Sequence, residues 1–433
     1  MTLLLVFIGI FLVLSALRVP VAISMAIGAV VGFSIGNLHM MGIPAAFFSG
    51  LDSFPLLAIP AFIFAGDIMG QGGISKALVN MFMALFGRLR GSLGTVMIAT
   101  AMFFGTITGS AVATVSAVGG IMVPEMLKRN YERKYVTALL AATSFAGFLI
   151  PPSVPGILYS LGTGLRITDV WISTLPGGLL LGALYMVLNF VVYGRHQPKI
   201  TEPFVLSDYT KGVITVMPKA TVAIIMPVII FGGVYGGVFT PTEAGAVSVV
   251  YGLVAGWIVY PILFRSRPDA NLYKMTMKSA ITCATLALII AAATLVGRMV
   301  AMGGVVRATS DFLLSVTDSQ IIFLLLVNLI FLFIGMLLDI NVSVIIFAPI
   351  FAPIALEFGV EPIHFAAIML TNLSIGLITP GFAASIFVAC RITNLNYSDV
   401  IKPMLPFYIC CLVVLAVVTY VPQFSLFLVE VLR

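Results

Sequence analysis

Gly105-Thr-Ile-Thr-Gly-Ser110 lies inside an apolar stretch and is followed by Gly147-Phe-Leu-Ile-Pro-Pro152; later, Gly335-Met-Leu-Leu-Asp-Ile-Asn-Val-Ser343 is followed by Gly376-Leu-Ile-Thr-Pro-Gly381. Proline has no backbone N–H, so inside a helix it leaves the carbonyl four residues earlier without its partner. Pro151 would free the carbonyl of Gly147, and Pro380 that of Gly376, both on residues with no side chain to block approach. In hydrocarbon such a group must meet water, protein or a cation. The hydroxyls of Thr106, Thr108 and Ser110, and the acid and amide groups of Asp339, Asn341 and Ser343, are hard oxygen donors of the kind that suits Na+. The plainer reading is that Gly-Pro pairs are kinks and small Thr and Ser residues are helix-packing contacts. Repetition in register weighs against it: Gly105 and Gly335 stand 230 positions apart, Gly147 and Gly376 229.

An apolar stretch with a polar middle folds back as a helical hairpin, and its second limb presents unpaired N–H groups and the positive end of a helix dipole, which attract anions. An anionic substrate between two such tips would meet Asp339 and Asn341, with Arg298 as a candidate for neutralising a carboxylate. Snorkelling of Arg298 to the headgroups explains it equally well. Asp67 occupies nearly the position equivalent to Arg298 and is expected simply to end its helix, and Glu243, after Thr240-Pro-Thr, to sit in a first helical turn.

The elements that must position these residues follow from composition. The chain has 433 residues, 61% of them hydrophobic and 9% charged, with a mean hydropathy of +1.18, too few charges to cover a soluble globule of this size. Its solvent is a lipid bilayer, and no block is polar enough for a nucleic-acid module or a separate soluble enzyme. The start, Met-Thr-Leu-Leu-Leu, lacks the basic region of a cleaved signal peptide. The net charge of +6 comes from basic residues clustered in loops, which the positive-inside rule explains without an acidic partner. Cys283, Cys390, Cys410 and Cys411 have no metal spacing, and His39, His196 and His364 are scattered, leaving no material for a metal centre or a hydrolytic triad.

Basic clusters at Arg88-Leu-Arg90, Lys128 to Lys134, Arg195 to Lys199 and Arg265 to Lys278 mark cytoplasmic loops. Gly91 to Leu127 is flanked by two of them, so it enters and leaves on the cytoplasmic side. Its limbs are short for crossings of roughly 20 residues, which favours a re-entrant hairpin over two complete spans with a tight polar turn. Gln320 to Leu356 repeats the pattern with acidic flanks and should enter from the opposite face. The expected fold is an all-α integral membrane protein made of inverted-topology repeats, with two re-entrant hairpins and two broken helices, the sequence signature of a secondary transporter. Residues 1–90 would supply the scaffold spans of the first repeat, and 91–165 its transport part, with the inner hairpin at 91–127 and the broken helix at 135–160. A span, Leu175 to Tyr193, and a cytoplasmic loop fill 166–218, and 219–319 repeat the scaffold with Lys219 to Tyr235, Glu243 to Phe264 and Ser279 to Val300. Residues 320–395 hold the outer hairpin at 320–356 and the second broken helix at 362–390, and a last span, Leu405 to Val429, lies within 396–433.

These residues resemble the large membrane subunit of tripartite ATP-independent periplasmic (TRAP) transporters. The matching stretches are Phe103-Phe-Gly-Thr-Ile-Thr-Gly-Ser-Ala-Val-Ala-Thr114, Gly147-Phe-Leu-Ile-Pro-Pro-Ser153, Gly237-Val-Phe-Thr-Pro-Thr-Glu-Ala244, Gly335-Met-Leu-Leu-Asp339 and Asn372-Leu-Ser-Ile-Gly-Leu-Ile-Thr-Pro380. The resemblance implies an elevator-type importer in the bacterial inner membrane, driven by Na+ as coupling ion. A soluble periplasmic binding protein would deliver the substrate, and a small four-helix membrane subunit, for which these repeats leave no extra block, would complete the complex. It implies one sodium site at Thr108 and Ser110 with Gly147, Ile150 and Pro152, and another at Gly335 with Gly376, Thr379 and Phe382. Ser153 joins Arg298, Asp339 and Asn341 as a substrate contact. The family's substrates are organic acids: dicarboxylates, keto acids, sugar acids and sialic acid. Two departures stand out: Thr108 where serine is frequent, which keeps the hydroxyl, and Pro380-Gly-Phe in place of a second proline, which could alter the Gly376 site. The alternative is a stand-alone Na+/carboxylate symporter or exchanger of the same superfamily, whose usual Ser-Asn-Thr tips are absent. A membrane phosphatase would need an acid, histidine and arginine cluster that the sequence lacks.

Overall fold

In hydrocarbon a backbone must satisfy its own hydrogen bonds, and this chain does so with helices alone among the described residues. The structure is a computed structural model describing residues 2–87, 91–193, 206–265, 271–379 and 383–432. Helices α1 (Thr2–Ala16) and α2 (Val21–Ile35) form a first pair, and a short α3 (Ile43–Ser49) leads to α4 (Ala58–Gln71) and α5 (Ile74–Phe86). The first hairpin is α6 (Ser92–Thr108) and α7 (Ala111–Lys128). The first broken helix is α8 (Arg133–Ala142), α9 (Ala146–Leu149) and α10 (Val154–Thr163), bent by 41° between its halves. After α11 (Ile167–Leu188) come α12 (Leu206–Tyr235), α13 (Pro241–Val254), α14 (Tyr260–Phe264), α15 (Leu272–Met302) and α16 (Val305–Val316). The second hairpin is α17 (Gln320–Leu337) and α18 (Ile340–Glu357), and α19 (Pro362–Gly376) with α20 (Ala384–Thr393) forms the second broken helix, ahead of α21 (Tyr397–Tyr420) and α22 (Pro422–Leu432). Nine described helices are long and apolar enough to cross a membrane, ten if the bent pair counts as one span. The chain is a multi-pass membrane protein.

Several expected boundaries change. The closing span is two helices, because Pro422 cannot donate to the ladder and pushes Val421 to φ −122° and ψ 81°. Helix α11 begins at Ile167 rather than Leu175, α12 extends back to Leu206, and α15 to Leu272. The loop bases Arg88, Arg90 and Arg195 to Lys199 lie outside the described residues.

Helix α4 packs on α13 and α15 on α2, so the third span of each repeat lies against the second span of the other. The hairpins cross over in the same way: α7 packs on α20 and α18 on α10. Asp67 does more than end a helix. One turn before the end of α4 it accepts from Ser279 at 2.7 Å and pairs with Lys278 at 3.3 Å, tying α4 to the start of α15. Glu243 has the structural role expected of it, in a capping box where Thr240 N donates to Oε2 at 2.8 Å and Glu243 N donates to Thr240 Oγ1 at 3.3 Å. Thr240→Ala should therefore lower the unfolding free energy of the purified protein in detergent by about 1 kcal/mol. An unchanged denaturation midpoint would show that the box contributes nothing.

Candidate functional site

The first junction joins the tip of the α6–α7 hairpin to the break after α9. Gly109, at φ +55°, turns the chain where a side chain would be strained, and Ser110 then caps α7 by accepting from Ala113 N at 3.5 Å. Thr114, one turn into α7, donates to the Ser110 carbonyl at 2.9 Å and meets Thr108 Oγ1 at 3.0 Å. The break meets this tip backbone to backbone. A Cβ on Gly147 would lie 2.5 Å from the Ser110 carbonyl carbon and 2.6 Å from its oxygen, and one on Gly105 would lie 2.3 Å from the Ala146 oxygen. A Cβ on Gly109 would lie 2.9 Å from the Pro152 oxygen. The tip thus stops at the level of a break that lies midway along Arg133 to Thr163. This is the geometry of a re-entrant hairpin.

Ile150 N donates to the Ala146 carbonyl at 3.3 Å, and Pro151, next in line for the Gly147 carbonyl, has no N–H. Around this tip the oxygens are neutral: carbonyls and hydroxyls, with no charged side chain among Thr106, Thr108, Ser110, Ile150 and Pro152. Such a set suits a monovalent cation better than a divalent one. Thr106 turns its hydroxyl back to the Phe103 carbonyl at 2.6 Å. Ser153 is buried and caps α10, accepting from Gly156 N at 3.2 Å, while its carbonyl accepts from Trp171 Nε1 at 3.1 Å.

At the second junction a Cβ on Gly376 would lie 2.3 Å from the Gly335 oxygen and 2.7 Å from its Cα. Asp339 caps α18: its Oδ1 accepts from Asn341 N and from Asn341 Nδ2, both at 2.9 Å. Ser343 donates to the Asp339 carbonyl at 3.0 Å. The Ser110–Thr114 arrangement therefore recurs in Asp339–Ser343, with a carboxylate in place of the first hydroxyl. One expectation needs correcting. Gly376 is not wholly released by Pro380, because Thr379 N closes a tight turn on its carbonyl at 3.2 Å, leaving one lone pair free. Thr379 Oγ1 donates to Ile375 O at 2.8 Å, and Tyr408 donates to the Ile378 carbonyl within the same break. Phe382 lies outside the described residues, as do Pro380 and Gly381.

The structure thus gathers Thr108, Ser110, Gly147 and Pro152 at one junction, and Gly335, Gly376 and Thr379 at another with Asp339 and Asn341 on its hairpin. Helix α9, which ends at the first break, packs on α19, which leads into the second. Arg298 goes elsewhere: it is exposed, and its guanidinium donates to the Gly42 carbonyl at 3.4 Å, on the segment leading into α3. Sequence reading missed Thr114, Trp171 and Tyr408 as partners of the junctions. Only Thr114 left a signal, since Ser110 and Thr114 repeat the spacing of Asp339 and Ser343.

Two crossed-over repeats with a hairpin tip seated in each helix break define a membrane transporter architecture. In agreement, a solved structure of the Alcanivorax borkumensis YdaH transporter has the same fold at a TM-score of 0.57, with 15% identity over 87% of this chain and 86% of that one. The family described as "Tripartite ATP-independent periplasmic transporter, DctM component" matches residues 8–424. Similar proteins include an uncharacterized protein, YgiK, of Salmonella typhimurium, 36% identical over 94% of this chain and 95% of its own length. The isethionate TRAP transporter permease protein DctMQ of Oleidesulfovibrio alaskensis is 33% identical over 97% of this chain and 65% of its own length. The 2,3-diketo-L-gulonate TRAP transporter large permease protein of Escherichia coli is 31% identical over 97% of each. The chain belongs to the DctM component family of tripartite ATP-independent periplasmic transporters.

Proposed function

We propose that this chain imports an organic acid anion across the bacterial inner membrane, coupled to Na+. A soluble periplasmic binding protein delivers the anion, and a small four-helix membrane subunit completes the complex. The observation that carries the reading is the duplicated junction, in which a capped hairpin tip meets a glycine-lined helix break in each repeat. Each junction offers backbone and hydroxyl oxygens to a cation, and each tip points a helix N-terminus at whatever lies between them. The substrate class follows from the relatives, whose names specify isethionate, 2,3-diketo-L-gulonate, sialic acid and C4-dicarboxylate, all acids.

The exchange of packing between repeats supports an elevator mechanism. Because α7 packs on α20 and α18 on α10, the two hairpins and the two broken helices form one body, while α2, α4, α13 and α15 pair among themselves as a frame. Gly66 of α4 is one place where frame and body meet, since a Cβ there would lie 2.8 Å from Thr108 Cα. Asp339 and Asn341 are the substrate-side residues of this reading; Ser153 acts through the cap it provides, and Arg298 belongs to the frame. The test is uptake by proteoliposomes holding both membrane subunits, with binding protein outside. Replacing Na+ by choline should reduce uptake at least tenfold, and ATP should be dispensable. Uptake that persists in choline would overturn the coupling, and uptake without the binding protein would favour a stand-alone symporter.

A further inference from the structure

We propose that Asn328, Asn372 and Thr419 form a three-helix clamp that positions the second cation junction, with the two asparagines as its positioning residues. The proposal rests on the Na+ reading above. Asn372 lies on α19 one turn before Gly376, and Asn328 lies on α17 two turns before Gly335, so both pairs share the facing sides of the same two helices. Asn372 gives both amide hydrogens to Asn328, one to its backbone carbonyl at 2.9 Å and one to Oδ1 at 2.7 Å. Asn328 Nδ2 then donates to Thr419 Oγ1 of α21 at 3.0 Å. The three residues are buried. A Gly–Gly crossing has no side chains to fix its register and can slide; two directional bonds a short way along the same seam pin it.

Two further observations bear on this trio. With both hydrogens of Asn372 spent on Asn328, its Oδ1 is left buried and without a donor among the described residues, so the amide is committed to this contact at some cost. The asparagine pair is not repeated at the equivalent positions of the first repeat, which are Ala99 and Thr143; there Asn189, after α11, ties α6 and α8 farther from the junction, donating to the Gly91 carbonyl at 2.9 Å and to Thr95 Oγ1 at 3.2 Å and accepting from Tyr135. At the first junction itself the Thr108–Thr114 hydroxyl pair braces the tip, and Trp171 of α11 holds the Ser153 carbonyl. The glycine crossing of the second junction instead has an amide pair between α17 and α19, itself held by α21, a short way along its own seam.

The experiment uses the complete membrane complex in detergent, with Na+ itself as the probe. Its thermal midpoint is followed against NaCl at constant ionic strength, balanced with choline chloride. Asn328→Leu and Asn372→Leu should each raise the half-stabilising Na+ concentration about tenfold, and the near-isosteric Thr419→Val about threefold. Thr215→Val, on the exposed face of α12, should leave it unchanged. A merely structural role would lower the Na+-free midpoint without moving the half-stabilising concentration. A shift below twofold in Thr419→Val and in whichever asparagine variant purifies overturns the proposal, and Thr419→Val decides alone if neither does. Absence of any Na+-specific stabilisation in the unmodified complex would instead defeat the sodium reading, so the two failures are distinguishable.

Discussion

Gly376→Ala and Gly147→Ala are each expected to reduce uptake more than a hundredfold while the complex still assembles. The reason is steric. A methyl group at Gly376 would stand 2.3 Å from the Gly335 oxygen, 2.5 Å from its carbonyl carbon and 2.7 Å from its Cα. At Gly147 it would meet Ser110 and Ala111 backbone atoms at 2.5 to 2.6 Å. Real Cβ contacts are not found that close, and the atoms met are main chain, so no rotamer change relieves the clash. The hairpin must instead move off the break. Overpacking of this kind costs about 1–3 kcal/mol, which a large bundle survives. The proposed oxygen cage would be less tolerant, because a displacement of an ångström is a large fraction of any ligand distance. The measurement is uptake alongside size-exclusion behaviour of each variant. Uptake above a tenth of normal in a monodisperse Gly376→Ala complex would show that the close approach is dispensable.

Asp339 is the second residue from which a large loss is expected, and two substitutions separate its possible contributions. Asp339→Ala removes the cap of α18, worth about 0.5–2 kcal/mol, together with the charge. Asp339→Asn keeps the cap, since asparagine serves that position as well as aspartate does and can still accept from Asn341 N. Its Oδ1 takes both Asn341 bonds and the Val342 N–H also bonds the carboxylate, which leaves lone pairs for a substrate hydroxyl or a coupling cation. Both variants should therefore lose at least a hundredfold in uptake, with only Asp339→Ala losing thermal stability. Normal uptake by Asp339→Asn would reduce Asp339 to a capping residue, the role that its first-repeat counterpart Ser110 performs without charge.

The parts of this fold that sequence made visible are those governed by local chemistry. Proline positions located both breaks, polar clusters in apolar runs located both tips, and Glu243 after Thr240-Pro-Thr marked a first helical turn. Helix ends were less legible, as with α12 and α15, because amphipathic turns continue a helix past the hydrocarbon edge without any hydropathy signal. Within the site, the glycine crossings could be guessed from register, but what braces them could not. Trp171 on Ser153, Tyr408 on Ile378 and Asn372 on Asn328 join residues 18, 30 and 44 positions apart, and no periodicity marks them. Arg298 shows the opposite failure. A charge in an apolar run reads as functional, yet its partner is a carbonyl exposed by a glycine on a neighbouring segment.

The crossed packing of the hairpins also bears on how such a molecule is made. Helix α7 emerges from the ribosome early, but the surface that covers it, α20, is among the last parts of the chain to be synthesised. The first hairpin must therefore wait in the bilayer, incompletely clasped, through the insertion of most of the second repeat. Neither half has a finished interior alone, yet each holds what the other lacks. Halves divided between α11 and α12 and expressed together should consequently find one another.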